Sequence, residues 1–113
     1  MDSAAWTKIE TIIGWIDDQS PLDDPMQTLS MRMHKIYEEA GEASQAFIGA
    51  TAYNPRKGQS HTMDDVKKEL CDLIITTMVA LRTVDPDAEQ TFAANLERVT
   101  ARSTGSAKQP AAD

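Results

Sequence analysis

Cysteine occurs once, at position 71, in a chain of 113 residues. That excludes an internal disulfide framework and a cysteine-based zinc cluster. Aromatic residues make up only 5% of the chain, valine is scarce, and no segment alternates apolar with polar residues. Extended strands are therefore not expected. No run approaches the roughly 18 apolar residues of a membrane span. Basic residues are in deficit: 11 Lys and Arg against 18 Asp and Glu give a net charge of −7. An acidic chain lacks the basic face that neutralises duplex phosphates, so duplex nucleic acid is not an expected partner. The opening segment, MDSAAWTKIE, lacks a basic stretch followed by an apolar one. No signal peptide is expected from it, and a cytoplasmic, reducing setting is the expectation.

The residues present are patterned for helices. Hydrophobic residues form 41% of the chain and charged residues 26%, which suits one domain with a modest core. Association of copies would bury more apolar surface. Trp6, Ile9, Ile13 and Ile16 make one stripe over Ser3 to Asp18, with Ile12 beside it. Pro21 and Pro25 interrupt the pattern. Met26, Leu29, Met33, Ile36, Ala40, Ala43 and Phe47 recur at steps of three and four over Pro25 to Ala50, the seam of a helix packed on helices. Asp24 is the expected N-cap and Pro25 the first-turn residue. A polar loop follows from Thr51 to His61. Thr62 caps a third helix that reaches Thr83, with Val66, Leu70, Leu73, Ile74, Thr77 and Leu81 on one side. Asp85-Pro86 reads as the N-cap and first residue of a fourth helix, which runs to Arg102 through Phe92, Leu96 and Val99. The reading is one all-α, four-helix domain over residues 1–102, with a disordered tail at 103–113.

The acidic residues are grouped. The second helix carries Glu38-Glu39-Ala40-Gly41-Glu42 and the third carries Glu69-Leu70-Cys71-Asp72. At about 100° per residue, Glu39 and Glu42 lie about 60° apart on one flank of the apolar stripe. Glu69 and Asp72 repeat that relation on the third helix. If the two stripes pack antiparallel, the pairs converge at the edge of the core. Carboxylates brought together in a partly desolvated place repel one another. A hard divalent cation removes the repulsion. Mg²⁺ prefers oxygen ligands, retains some water and bridges to phosphates. A solvated acidic face is the commoner meaning of such residues on one helix; the matched pair on the next helix favours a metal site.

Glu38-Glu39-x-x-Glu42, followed after 26 residues by Glu69-x-x-Asp72, resembles the signature of the MazG-like all-α nucleoside triphosphate pyrophosphohydrolases. The resemblance spans residues 26 to 102 and is most specific in the two acidic motifs. It implies a MazG-like bundle completed by dimerisation, as a homodimer or homotetramer. It also implies Mg²⁺-dependent cleavage between the α and β phosphates, giving a nucleoside monophosphate and pyrophosphate. Mn²⁺ is a possible substitute, and clearance of unwanted nucleotides is a plausible role. By position, Glu39, Glu42, Glu69 and Asp72 match the metal ligands and Glu38 the first acid of the motif. Glu38 points about 40° beyond Glu42 and is expected to position water or a ligand. The family's last helix carries basic residues and an asparagine that reach the phosphates. Asn95, Arg98 and Arg102 share one face here, but Thr91 stands where the family has a lysine. Lys35, Arg56 and Lys57 are the alternative phosphate contacts.

No covalent nucleophile is required. Cys71 points away from Glu69 and Asp72 and is expected to be a buried or interface thiol. Trp6 and Trp15 are expected in the core or a dimer interface, with base stacking as the alternative. His34 and His61 are expected to be structural or solvated. Two other functions compete with hydrolysis. A carboxylate-bridged di-iron bundle needs Glu-x-x-His motifs, and neither histidine follows a glutamate by three. A non-catalytic helical dimerisation or metal-responsive regulatory module would keep the fold without turnover.

Overall fold

A computed structural model describes residues 1–105. Its helices are α1 (Ser3–Gln19), α2 (Pro25–Ala50), α3 (Met63–Val84) and α4 (Ala88–Thr104), with no strand among the described residues. No helix is long and apolar enough to cross a membrane.

Local chemistry sets the boundaries. Asp2 accepts from the Ala5 amide at 2.9 Å to start α1, and Asp24 accepts from the Gln27 amide at 2.9 Å to start α2. Pro25 occupies the first turn, where its missing N–H costs no hydrogen bond. Thr62 and Asp65 form a reciprocal capping box at α3: the Asp65 amide donates to Thr62 Oγ1, and the Thr62 amide donates to Asp65 Oδ2. The Thr62 amide, and to a smaller extent the Thr62 hydroxyl, donate to the Asp65 carboxylate and hold it below its ordinary range.

The start of α4 differs from the sequence expectation. Asp85 ends α3, and α4 begins at Ala88 with Asp87 in the capping position, where its side chain makes no capping bond. Asp85 instead braces the turn, accepting from the Asp87 amide at 2.8 Å and from the Thr91 hydroxyl. Two further residues are needed to reverse the chain before Ala88, only 1% exposed, can enter the core. At the other end, Ser103 and Thr104 continue α4, which Gly105 closes with a φ of 69°. The expected disordered tail therefore loses its first residues to the helix; its remainder, 106–113, lies outside the described residues.

α2 and α3 form a long antiparallel hairpin, and α1 packs on α3. The core holds Trp6, Ile9, Met78, Val79 and Ala88, flanked by Ile12, Ile13, Ile16, Leu81 and Phe92. Trp6 meets Phe92 with ring centroids 6.3 Å apart. The buried face of α2 is turned from the expected seam. Arg32, Ala43, Ala46 and Gly49 are buried, while Met33 and Phe47 are each 52% exposed. The small residues decide this, because they let α3 and its loop approach the α2 backbone. The Ser60 amide donates to the Gly49 carbonyl at 3.2 Å. A Cβ at Gly49 would run into the His61 ring and the Ser60 hydroxyl. Gly49→Val is expected to cost about 1–3 kcal/mol through overpacking. A urea melt reads this directly, and an unchanged midpoint would show that the loop gives way freely.

The fold leaves much apolar surface open. Its radius of gyration is 17.7 Å, against roughly 13 Å for a globular chain of this length. Met33, Tyr37 and Phe47 of α2 and Leu70 and Ile74 of α3 are all exposed. By helical angle, they lie on the flank of the hairpin opposite the motif acids. Cys71 is exposed as well. Of the expected buried or interface thiol, the buried alternative is thus incorrect within one chain, because position 71 lies on the same open flank as Leu70 and Ile74.

Candidate functional site

The antiparallel hairpin brings the two acidic motifs to one place. Glu39 from α2 and Glu69 and Asp72 from α3 each offer a carboxylate oxygen, and these oxygens lie within 4.8 Å of one another. Glu39 lies in the helix–helix seam, one step from Ile36 and Ala43, so its carboxylate is partly buried. Glu69 and Asp72 are one turn apart on the facing helix, as their three-residue spacing requires.

Two oxygens define the site's chemistry. Glu39 Oε2 and Glu69 Oε2 are shielded from water and have no hydrogen-bond partner. A shielded carboxylate oxygen without a donor is costly. Burial is the first reason that the Glu39 carboxyl titrates above its ordinary value. A hydrogen bond with Glu42, repulsion from Glu42 and repulsion from Asp72 push it further, and Lys35 opposes them. The donor set is all oxygen, anionic and partly desolvated, which fits a hard divalent cation.

Two lysines rim the cluster. Lys35 Nζ pairs with Glu38 and lies 3.9 Å from Glu39 Oε1. Lys68 Nζ donates to Asp72 Oδ2 at 3.1 Å and lies 3.9 Å from Glu69 Oε1. Both ammonium groups are held above their ordinary range, chiefly by these hydrogen bonds. Five motif carboxylates against two lysines leave the site strongly anionic.

The remaining predicted residues divide clearly. Glu42 is exposed beside Glu39 and outside the close group of three. Glu38 faces outward to Lys35. Asn95, Arg98 and Arg102 are exposed on α4, and Asn95 Oδ1 accepts from Arg98 Nη2 at 2.8 Å. Among the described residues, no hydrogen bond or ion pair joins these three to the acidic group within one chain; α4 packs on the core near its start, through Ala88 and Phe92. Of the expected phosphate contacts, Lys35 is the one at the cluster. Arg56 and Lys57 lie in the α2–α3 loop. His34 Nδ1 contacts the Ser30 carbonyl at 2.7 Å, and His61 Nδ1 contacts the Ser60 hydroxyl at 2.9 Å.

Sequence reasoning missed Lys68 and Arg32. The four-residue step from Lys68 to Asp72 is the signal for the first. Arg32 becomes conspicuous only once the buried face of α2 is known, because it then stands as a charge in an apolar seam.

Beside the acidic group opens a cavity of about 640 Å³ between α1, α2 and α3. Ile12, Ile16, Leu22, Met31, Ile75 and Val79 make its walls largely aliphatic, and Arg32 and Lys35 are its charged members. Neither tryptophan lines it: Trp6 is in the core and Trp15 is 65% exposed. No family model, no curated protein and no solved structure matches this chain.

Proposed function

We propose that this protein is a Mg²⁺-dependent nucleoside triphosphate pyrophosphohydrolase of the MazG-like kind. The supporting observation is the pair of shielded, unpartnered oxygens on Glu39 and Glu69, set in a three-carboxylate group beside a nucleoside-sized cavity. The acidic motifs carry the resemblance, and the geometry gives it a physical basis.

Glu39, Glu69 and Asp72 would hold the cation, with Glu42 as the adjacent carboxylate. When bound, Mg²⁺ (or Mn²⁺) supplies charge neutralisation of the polyphosphate and a more acidic water. In the reaction, a water oxygen bonds to the α-phosphorus and the bond to the α–β bridging oxygen breaks. The water's proton passes to a nearby carboxylate, and the electron pair leaves with pyrophosphate. Lys35 and Lys68 rim the site and would exchange their carboxylate partners for phosphate oxygens, which stabilises the leaving group. The aliphatic cavity would hold the base out of water.

The direct test is pyrophosphate release from a panel of ordinary and modified nucleoside triphosphates, with Mg²⁺ or Mn²⁺ and with EDTA. Metal-dependent release from one nucleotide supports the reading. Silence across the panel from folded protein would move the assignment to the non-catalytic module.

The open apolar flank gives the expected homodimer or homotetramer a surface. Tyr37 is 85% exposed and Ile74 45%, and burying such side chains contributes roughly 1.5–3 kcal/mol each. Ile74→Asp is expected to shift the protein from a multiple of the chain mass to a single chain in light scattering. A wild-type protein that is already monomeric at high concentration would contradict the assignment of this flank.

A further inference from the structure

Position along the hairpin separates the two rim lysines. α2 and α3 run antiparallel, and Glu39 meets Glu69 and Asp72 across the seam. Residues before Glu39 on α2 therefore lie beside residues after Asp72 on α3. Lys35 is such a residue, and it shares the wall of the 640 Å³ cavity with Ile75 and Thr76. Lys68 lies outside that wall, on the Glu42 side of the acidic group. Each lysine precedes its carboxylate, Glu39 or Asp72, by four residues, about 6 Å of helix rise. On antiparallel helices those two offsets point in opposite directions. The order along the hairpin is thus cavity, Lys35, acidic group, Lys68. The Lys68 side chain is 70% exposed. An ammonium on a flexible stem has three rotatable donors, so Lys68 can exchange Asp72 for a phosphate without moving a helix.

We propose that Lys68 grips the terminal phosphate and sets chain length, so that the site takes nucleoside triphosphates in preference to diphosphates, with Lys35 at the α phosphate. This inference rests on the nucleotide reading given above and fixes the direction in which the substrate lies. A base in the cavity puts the α phosphate beside Lys35 and Glu39. The phosphate chain then continues along the hairpin, past the acidic group. A diphosphate ends at that group, whereas a γ phosphate extends to Lys68. The far end of the group is where an unpaired phosphate is most strongly repelled, because Glu42, Glu69 and Asp72 lie on that side. Lys68 is the cation that pairs with Glu69 and Asp72 there. A charge-assisted hydrogen bond to the γ phosphate is among the strong ones, and a diphosphate cannot make it.

The test compares a nucleoside triphosphate that the panel shows to be consumed with its diphosphate. With Mg²⁺, kcat/KM for the triphosphate is expected to exceed that for the diphosphate by about 30-fold. In Lys68→Met the preference should fall to within about threefold, and Lys68→Arg, which keeps the charge, should restore most of it. Lys35→Met should slow both nucleotides and keep the preference. A second measurement needs no turnover: with Mg²⁺, pyrophosphate and the common ribonucleoside monophosphates are titrated while the lysine Cε resonances are followed, assigned by their loss in the two Met variants. Pyrophosphate should move Lys68 more than Lys35, and a monophosphate should move Lys35 and leave Lys68 in place. No preference in wild type, or the same preference in Lys68→Met, would overturn the inference and leave the hydrolase reading standing. Absence of turnover across the panel, with pyrophosphate still moving Lys68 more than Lys35, would remove the hydrolase and keep Lys68 as a polyphosphate contact. A Lys68 resonance that pyrophosphate does not move would overturn the role of Lys68.

Discussion

Asp72→Asn is expected to lower pyrophosphate release on the order of a thousandfold. Helical content should change little. Asp72 offers one of the three oxygens that lie within 4.8 Å of one another, and its side chain is partly open to solvent rather than packed in the core. The amide keeps the size of the group and can still accept from Lys68. It loses the negative charge that a cation needs. Glu69→Gln should behave alike, with a further signature: the shielded Oε2 of Glu69 has no donor now, so a neutral amide there relieves repulsion. Glu38→Gln provides the contrast. Glu38 pairs outward with Lys35, and its loss should reduce turnover by no more than about tenfold. Measured kcat/KM values for the three variants separate the close group from the motif's outer acid. Full activity in Asp72→Asn would remove that residue from the ligand set.

The second large effect concerns stability. A divalent cation at about 100 times its dissociation constant is expected to stabilise the folded chain by roughly 2.7 kcal/mol. The effect should grow with pH, because the ligands must be deprotonated. The metal-free protein should respond to pH in the opposite sense. The folded Glu39 carboxyl titrates above its ordinary value of 4.5, mainly through burial and then through Glu42. Between those two values the folded chain binds more protons than the unfolded one. Stability contributed by Glu39 is therefore lost as pH rises through that window. Glu39→Gln removes the penalty: the variant should be more stable than wild type at neutral pH in EDTA and insensitive to added metal. Asp65, whose carboxyl is lowered by the capping box, acts below this window and does not mask it. Thermal melts across pH with and without Mg²⁺ read both effects. A Glu39→Gln protein that is less stable in EDTA, or still stabilised by Mg²⁺, would contradict this account of the cluster.

The elements of the fold were readable because their punctuation is local. Asp24 with Pro25, and Thr62 with Asp65, mark helix starts through bonds within one turn. The start of α4 was not readable in the same way. Asp85 and Asp87 are both plausible caps, and the need to bury Ala88 chose between them. The facing of α2 was also hidden. That helix has two neighbouring apolar stripes only about 50° apart, one through Met33 and Phe47 and one through Ile36 and Ala43. Hydrophobicity marks both stripes, whereas close packing at Ala43, Ala46 and Gly49 selects the buried one. The acidic site was legible in part for the same reason. Spacing within each helix placed the pairs, but helix facing put Glu39 inward and Glu42 outward. The α4 cations illustrate the limit: a shared face on a helix says nothing about which neighbour that face meets.

Product analysis by phosphorus NMR tests the central claim most directly, on wild type and Asp72→Asn, using a nucleotide that the panel shows to be consumed. The account predicts nucleoside monophosphate and pyrophosphate in equal amounts from wild type with Mg²⁺, and neither in EDTA or from the variant. Nucleoside diphosphate and inorganic phosphate, or undiminished products from Asp72→Asn, would contradict it.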